Sequence, residues 1–461
     1  ISFIGFSVNF GIQLILVRLL LPDDFGFFVL GLSLAQILFI FSGFSFSMAV
    51  IQIQEAEDLF DTAFCLTLLS GGVTLLIGGG ISWILSSSYP LPTVLTFLAL
   101  CAVQLLQGCS SIYSASMEKE LQFKKSSIVR GLATNVSGLS AIFLAYSDFG
   151  VWSLVGREVI TAVLMLFGMR MVSNYRFSGR FNRDTAKKLL NFGFKRLLVR
   201  ALEITFFRAP LFFIGTFAGT KVLGLFSQVY YLANLPNTLL GAVTQSVAFA
   251  TYSKIQGDKD KLSKGFYITN FFSLRILLPV ALLVYLFPSV ILEILYGSKW
   301  VGASEMFQYL FVFILVLPVF TNTVVFMLSM GEILFACRIY VFSTIILFLG
   351  MVITLWSHDY WMLPVSYSSA LLAGLSFSIS ILRKGGIQIS LRKLILVPTL
   401  IVVAIIFLKE YNSEKLLLFY GFPLCMLSTV AILFYLMSLL FEHKETFNNC
   451  RYVKSKMTVQ R

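Results

Sequence analysis

Apolar runs of about twenty residues recur along the whole chain, and this pattern leaves few folds open. A helix needs roughly 20 apolar residues to cross the hydrocarbon core of a bilayer. The runs are continuously apolar instead of alternating, so spanning helices rather than barrel strands are expected. They place spans at 1–20, 27–50, 62–86, 91–114, 127–147, 151–171, 191–215, 222–250, 267–292, 303–328, 333–356, 361–382, 394–409 and 415–441. Short turns carrying Gly, Pro or Asp separate several of them, such as Leu21–Gly26 and Ser147–Gly150. The chain is 58% apolar and only 12% charged, about half the charge of a soluble domain at roughly 25%. An all-α, polytopic membrane protein of about fourteen transmembrane helices is therefore expected.

The first residue is Ile1 and 1–20 already reads as a span. A short preceding segment is expected, and no cleavable signal peptide, since the run lacks a basic leader and a small-residue cleavage site. The cysteines Cys65, Cys101, Cys109, Cys337, Cys425 and Cys450 form no CxxC pair, and five lie in apolar runs. Packing is their expected role. Lys and Arg collect in short cytoplasmic loops of membrane proteins. With the first helix running outward, 24 basic residues fall on inside segments, five on outside turns (Arg18, Lys221, Lys299, Lys409 and Lys415) and six in or near spans. Both termini are then cytoplasmic. The net charge of +13 is spread along these edges, where it faces anionic headgroups of membrane lipids. Nucleic acid is not an expected partner.

An internal repeat is legible. Phe25-Gly26-Phe27-Phe28 opens the second span as Leu223-Gly224-Leu225-Phe226 opens the eighth, and a shift of 198 residues superposes them. Six spans per repeat preserve orientation, so two parallel lobes are expected. They are a lobe over 1–171, a cytoplasmic linker over 172–190 and a second lobe over 191–382; two further spans follow in 383–441 and a basic tail in 442–461. In the eighth span Ser227, Tyr231, Asn234, Thr238, Gly241 and Gln245 share one face. The same shift lands on Val29, Ser33, Gln36, Ile40, Gly43 and Ser47. Such a stripe either packs against another helix or lines a wet cavity.

Charges inside spans are costly, at least about 2.5–3.5 kcal/mol each. The seventh span carries Arg196, Arg200, Glu203 and Arg208 within an arc of roughly 140°. Arg157 and Glu158 in the sixth and Arg275 in the ninth are further cases. Arginine suits bidentate phosphate contacts, so Arg200, Arg208, Arg275 and Arg157 are candidate contacts for an anionic headgroup. Internal pairing and snorkelling are the alternative, favoured for Lys195 and Arg196. Glu203 and Glu158 either pair structurally or carry a proton or ion. Catalytic signals are nearly absent. The histidines His358 and His443 assemble no metal cluster, so no metal and no cofactor are expected. Asp258-Lys259-Asp260 looks like a metal-holding acidic pair but reads as a solvated loop, and the external turns are too short for a glycan polymerase or ligase.

Several stretches carry a family resemblance: Arg18–Gly26 (RLLLPDDFG), Phe149–Trp152 (FGVW), Gly224–Pro236 (GLFSQVYYLANLP), Tyr252–Gln256 (YSKIQ) and Tyr296–Trp300 (YGSKW). In order and spacing the chain resembles the Wzx-type polysaccharide flippases of the multidrug/oligosaccharidyl-lipid/polysaccharide exporter superfamily. The resemblance implies two six-helix bundles forming a V plus two C-terminal helices. It implies translocation of undecaprenyl-pyrophosphate-linked oligosaccharide across a bacterial inner membrane by alternating access, for lipopolysaccharide or exopolysaccharide export. A cationic cavity, and other polysaccharide-assembly membrane proteins as partners, are implied as well. A cation-coupled multidrug exporter is the runner-up and would favour an acidic cavity; a non-transporting scaffold of a glycan-export complex is a third possibility. The topology has a direct test: a membrane-impermeant maleimide added to intact cells should label Lys221→Cys but not Lys187→Cys. The reverse pattern would invert the orientation.

Overall fold

The computed structural model describes residues 2–40, 46–53, 58–255 and 257–384, with side chains over the same ranges except 2–4, 192–196, 242–247, 249–250 and 383–384. The expected spans 394–409 and 415–441, the tail 442–461, Cys425, Cys450 and His443 lie outside the described residues, as do the side chains of Lys195, Arg196 and Gln245.

The regular structure of the described residues is helical throughout. In chain order it comprises α1 (Ser2–Leu19), α2 (Pro22–Leu38), α3 (Phe46–Gln52), α4 (Leu59–Leu85), α5 (Leu91–Lys119), α6 (Phe123–Tyr146), α7 (Val151–Val172) and α8 (Arg183–Phe217). Next come α9 (Thr220–Lys254), α10 (Lys259–Leu286), α11 (Pro288–Tyr296), a 3-10 turn (Ser298–Ala303), α12 (Ser304–Ser329), α13 (Ile333–Ser357) and α14 (Met362–Lys384). Each expected span before 385 has its helical counterpart, two of them in two pieces. The run 267–292 breaks where Pro288 opens α11, because the residue before a proline is pushed out of the helical region. Eight described helical segments are long and apolar enough to cross a membrane. The protein is a multi-pass, all-helical membrane protein.

Two helices begin well before their apolar stretches. The Asn182 side chain accepts from the backbone N–H groups of Asp184 (2.9 Å) and Thr185 (3.1 Å), starting α8 at Arg183. Asp258 likewise accepts from Lys261 N at 3.0 Å and starts α10. These are N-caps, in which a side-chain oxygen satisfies N–H groups of the first turn. The Lys261 side chain, 2.7 Å from the Asp258 carboxylate, holds that carboxyl below its ordinary range. Asp258 thus closes a helix end, and the loop reading of 258–260 gives way to a cap.

The chain packs as two compact units, residues 1–228 with 292–302, and residues 229–291 with those from 303 onward. In the first unit, the connector between α7 and α8 is strapped onto the start of α4. Buried Asp61 accepts from Tyr175 Oη (2.5 Å), from the backbone N–H groups of Ser178 and Arg180, and from the Ser178 hydroxyl. Burial, then the Asp61 carboxylate, push the Tyr175 phenol above its ordinary range. Phe64, Tyr113, Tyr175 and Phe177 stack around the strap.

The family-like motifs meet at one end of this unit. Lys299 Nζ donates to the carbonyls of Arg18 (2.6 Å) and Leu20 (2.5 Å), and Trp300 Nε1 to that of Val17 (3.0 Å). Arg18 in return donates to the carbonyls of Ile294 and Leu295. Each helix end thus leaves carbonyls without intrahelical partners, and a cation from the other end supplies the donors. The Trp300 ring also packs against Phe25 at 5.6 Å. Beside this clasp, α2 and α9 touch backbone to backbone. A Cβ on Gly26 would overlap the Thr220 carbonyl, and one on Gly224 would overlap that of Pro22. Gly26 with Gly224, and Pro22 with Thr220, are the pairs related by the 198-residue shift, so the contact is reciprocal. Asp23 accepts from the Thr220 hydroxyl at 2.8 Å, and Asp24 lies against Gly150, whose φ is +52°.

The second unit packs α10, α12, α13 and α14 with the remainder of α9. Its aromatic interior includes Tyr230, Phe313 and Tyr367. The hydroxyl of buried Tyr252 lies within hydrogen-bond distance of Thr269 Oγ1 (3.1 Å) and Asn322 Oδ1 (3.3 Å).

The backbone contact predicts a paired response. Gly26→Ala and Gly224→Ala should each destabilise the detergent-solubilised protein by about 1–3 kcal/mol, the usual cost of overpacking. Gly72→Ala, where nothing lies within 4 Å, should be neutral or stabilising by up to about 1 kcal/mol. Thermal melts that rank the three alike would refute the contact.

Candidate functional site

Arg157 lies on α7, inside the apolar part of the first unit, and is partly buried. Its two terminal nitrogens donate to α1, Nη1 to Gln13 Oε1 at 3.1 Å and Nη2 to Asn9 Oδ1 at 3.0 Å. Gln13 Nε2 in turn donates to Oε1 of buried Gln228, on α9, at 3.2 Å. The Tyr296 hydroxyl donates to the Gln228 carbonyl at 3.4 Å. Every acceptor around the guanidinium is a neutral amide oxygen. No carboxylate among the described residues forms an ion pair with Arg157; Glu158, its neighbour on α7, interacts with that cation through space without a hydrogen bond or ion pair to it. The guanidinium is thus held in place by amides and is in no ion pair among the described residues.

Arg200 is arranged differently. Its Nη1 lies 3.0 Å from Glu203 Oε2, one turn along α8, and both side chains are partly exposed. This is the internal pairing that the spacing allowed, and it compensates both charges. Arg208 stands two turns beyond on the same helix and is partly buried, just ahead of Pro210. With Arg200 and Glu203 it puts three charges into the apolar C-terminal half of α8, which is not among the helices that read as plain apolar spans. Arg275 falls in the second unit; it is buried, with its guanidinium carbon 4.2 Å from the Phe271 ring centre. Desolvated cations gain from the negative face of an aromatic ring.

The polar stripes divide. Ser33 is buried and its hydroxyl returns to the Leu30 carbonyl at 2.9 Å; Ser227 does the same to Gly224. Both therefore follow the packing alternative. Gln36 and Ser47 are partly buried. Farther along α9, Tyr231 and Thr238 are exposed, and Asn234 accepts from Asn237 Nδ2 at 3.3 Å. Gln245 lies outside the described side chains.

Asn9, Gln13 and Gln228 escaped the reading of charges, although a signal was present. Two amides four residues apart, Asn9 and Gln13, interrupt the largely apolar first span, and that spacing puts them on one helix face. Gln228 lies beside Ser227, one position off the stripe.

Comparison with known proteins follows the same lines. The chain is 22% identical over 302 residues to the succinoglycan biosynthesis transport protein ExoT of Rhizobium meliloti (strain 1021), covering 65% of this chain and 61% of that protein. It is 24% identical over 310 residues to the lipopolysaccharide biosynthesis protein WzxC of Escherichia coli (strain K12), covering 64% and 61%. The chain thus spans 61% of the length of each of these relatives. Among solved structures, the lipid II flippase MurJ in an inward closed conformation matches with a TM-score of 0.70 at 10% identity, over 96% of this chain and 98% of that one. An inward-facing multidrug resistance MATE family transporter of the MOP superfamily matches with 0.59 at 16% identity, over 82% and 95%. Those likenesses establish the fold. The polysaccharide biosynthesis protein family model matches residues 15–305, a stretch running from the middle of α1 through the clasp, and the chain belongs to that family.

Proposed function

We propose that this protein flips undecaprenyl-pyrophosphate-linked oligosaccharide from the inner to the outer leaflet of a bacterial inner membrane, with both termini cytoplasmic. The observation that carries the reading is Arg157, a cation within an apolar helix whose hydrogen-bond partners among the described residues are all neutral amides. Leaving such a charge uncompensated is costly in hydrocarbon, and an anionic headgroup would offset that cost. Membership of the polysaccharide biosynthesis family supports a glycan-bearing substrate, and the relatives named for succinoglycan transport and lipopolysaccharide biosynthesis point the same way.

In this mechanism the diphosphate head and its sugars cross through polar surroundings by alternating access while the prenyl tail stays in lipid. No covalent bond is made or broken, so the protein acts as a transporter and not as an enzyme. Arg157 is the proposed pyrophosphate contact, Arg200, Arg208 and Arg275 are each further candidates for an anionic head, and Glu203 and Glu158 are the groups suited to proton or ion coupling. Lobes over 1–171 and 191–382 are the bodies proposed to move in alternating access, and other polysaccharide-assembly membrane proteins are the partners that would supply and consume the substrate.

Reconstitution in proteoliposomes with a fluorescent undecaprenyl-pyrophosphate oligosaccharide tests the reading against protein-free vesicles. Protein-dependent movement is expected. Arg157→Ala should slow it by about 10–100-fold, the value of a hydrogen bond to a charged group. Arg200→Ala should do less, because Glu203 already holds that cation. Transport of organic cations under an ion gradient, with no glycan movement, would overturn the flippase reading in favour of a drug exporter.

A further inference from the structure

A guanidinium carries five N–H groups, and α1 occupies one on each terminal nitrogen of Arg157. Asn9 and Gln13 therefore grip the group along one side and leave other N–H groups for a further acceptor. Gln13 is itself tied to Gln228 at 3.2 Å, whose backbone carbonyl accepts from Tyr296. This chain of bonds fixes the plane of the guanidinium. Burying an arginine for structural reasons would be served better by an acid at either α1 position. Glutamate at 13 or aspartate at 9 would keep the hydrogen bond and cancel the charge, removing the cost of an uncompensated ion. The amides do the first without the second.

We infer that Asn9, Gln13 and Gln228 are positioning residues that hold Arg157 as an oriented cation without tying it into an ion pair, ready for a diphosphate oxygen. This deepens the flippase reading and rests on it. Asn9 and Gln13 fix the guanidinium directly, and Gln228 fixes Gln13. An anion arriving at Arg157 meets N–H groups already aimed, so little side-chain freedom is lost on binding.

The decisive variant is Gln13→Glu, nearly identical in shape. Its carboxylate can still accept from Arg157, and the Gln228 amide can turn over to donate to it. Folded yield should match or exceed the wild type. The apparent KM for the fluorescent undecaprenyl-pyrophosphate oligosaccharide should rise about tenfold or more, the size of one lost charge-assisted contact, with the maximal rate changing less. Asn9→Asp should behave alike, and Gln13→Leu should also raise KM by freeing the guanidinium. In detergent, inorganic pyrophosphate should raise the melting temperature of the wild type but not that of Gln13→Glu or Arg157→Ala. Wild-type KM and a wild-type pyrophosphate response in Gln13→Glu would overturn the positioning role while leaving the transport reading intact. Wild-type transport by Arg157→Ala would overturn it by removing Arg157 from the site. A wild-type protein that moves no glycan would overturn it together with the flippase reading itself.

Discussion

Water is scarce where most of this chain resides, and each polar group there must find its partner within the protein. A lone amide or carbonyl in hydrocarbon costs several kcal/mol, and helices are the spanning form that satisfies backbone groups along each segment. The helix ends are where that solution stops. At the clasp, the ends of α1 and α11 exchange donors, Arg18 reaching the carbonyls of one while Lys299 and Trp300 reach those of the other. The same constraint selects cations for the task, since the C-terminal end of a helix carries partial negative charge. The reciprocal contact of Gly26 and Gly224 can form beside it because neither position carries a Cβ.

The arginines show two answers to one problem. Arg200 is neutralised by Glu203 at 3.0 Å, an arrangement that suits a charge meant to stay where it is. Among the described residues Arg157 is hydrogen-bonded by amides, which orient a charge without tying it into an ion pair. A count of charged residues in spans treats the two as equivalent; their partners separate them. Arg275 presents a third arrangement, with an aromatic face beneath the guanidinium.

Hydropathy made the helices legible because lipid imposes the same length and polarity on every span. It placed their boundaries poorly wherever a cap extended a helix into polar sequence. Asn182 and Asp258 start α8 and α10 in segments with no apolar signal, and both are cap residues that could have been recognised by type. The repeat was legible from a few residues around Gly26 and Gly224, since the geometry tolerates no side chain there. Arg157, Arg200, Arg208 and Arg275 were legible as misfits in apolar runs. Their partners were not, because Asn9, Gln13 and Gln228 come from helices distant in sequence and are individually unremarkable amides. The role of Ser33 and Ser227 in packing was equally hidden, as a hydroxyl bonded to its own helix leaves the same sequence pattern as one facing water.

The strap around Asp61 bears on how this gene can change length. Connectors between helices ordinarily absorb inserted residues at little cost, since lengthening a slack loop adds only a small closure entropy. The segment 173–182 has no slack of that kind: its backbone N–H groups at Ser178, Arg180 and Asn182 are committed to Asp61 and Thr62 at fixed intervals. One added residue would put those donors out of step with a carboxylate that cannot follow, being buried at the start of α4. Length variation among relatives is therefore expected to concentrate at turns such as 86–90 and to spare this connector, although both read in sequence as ordinary polar linkers.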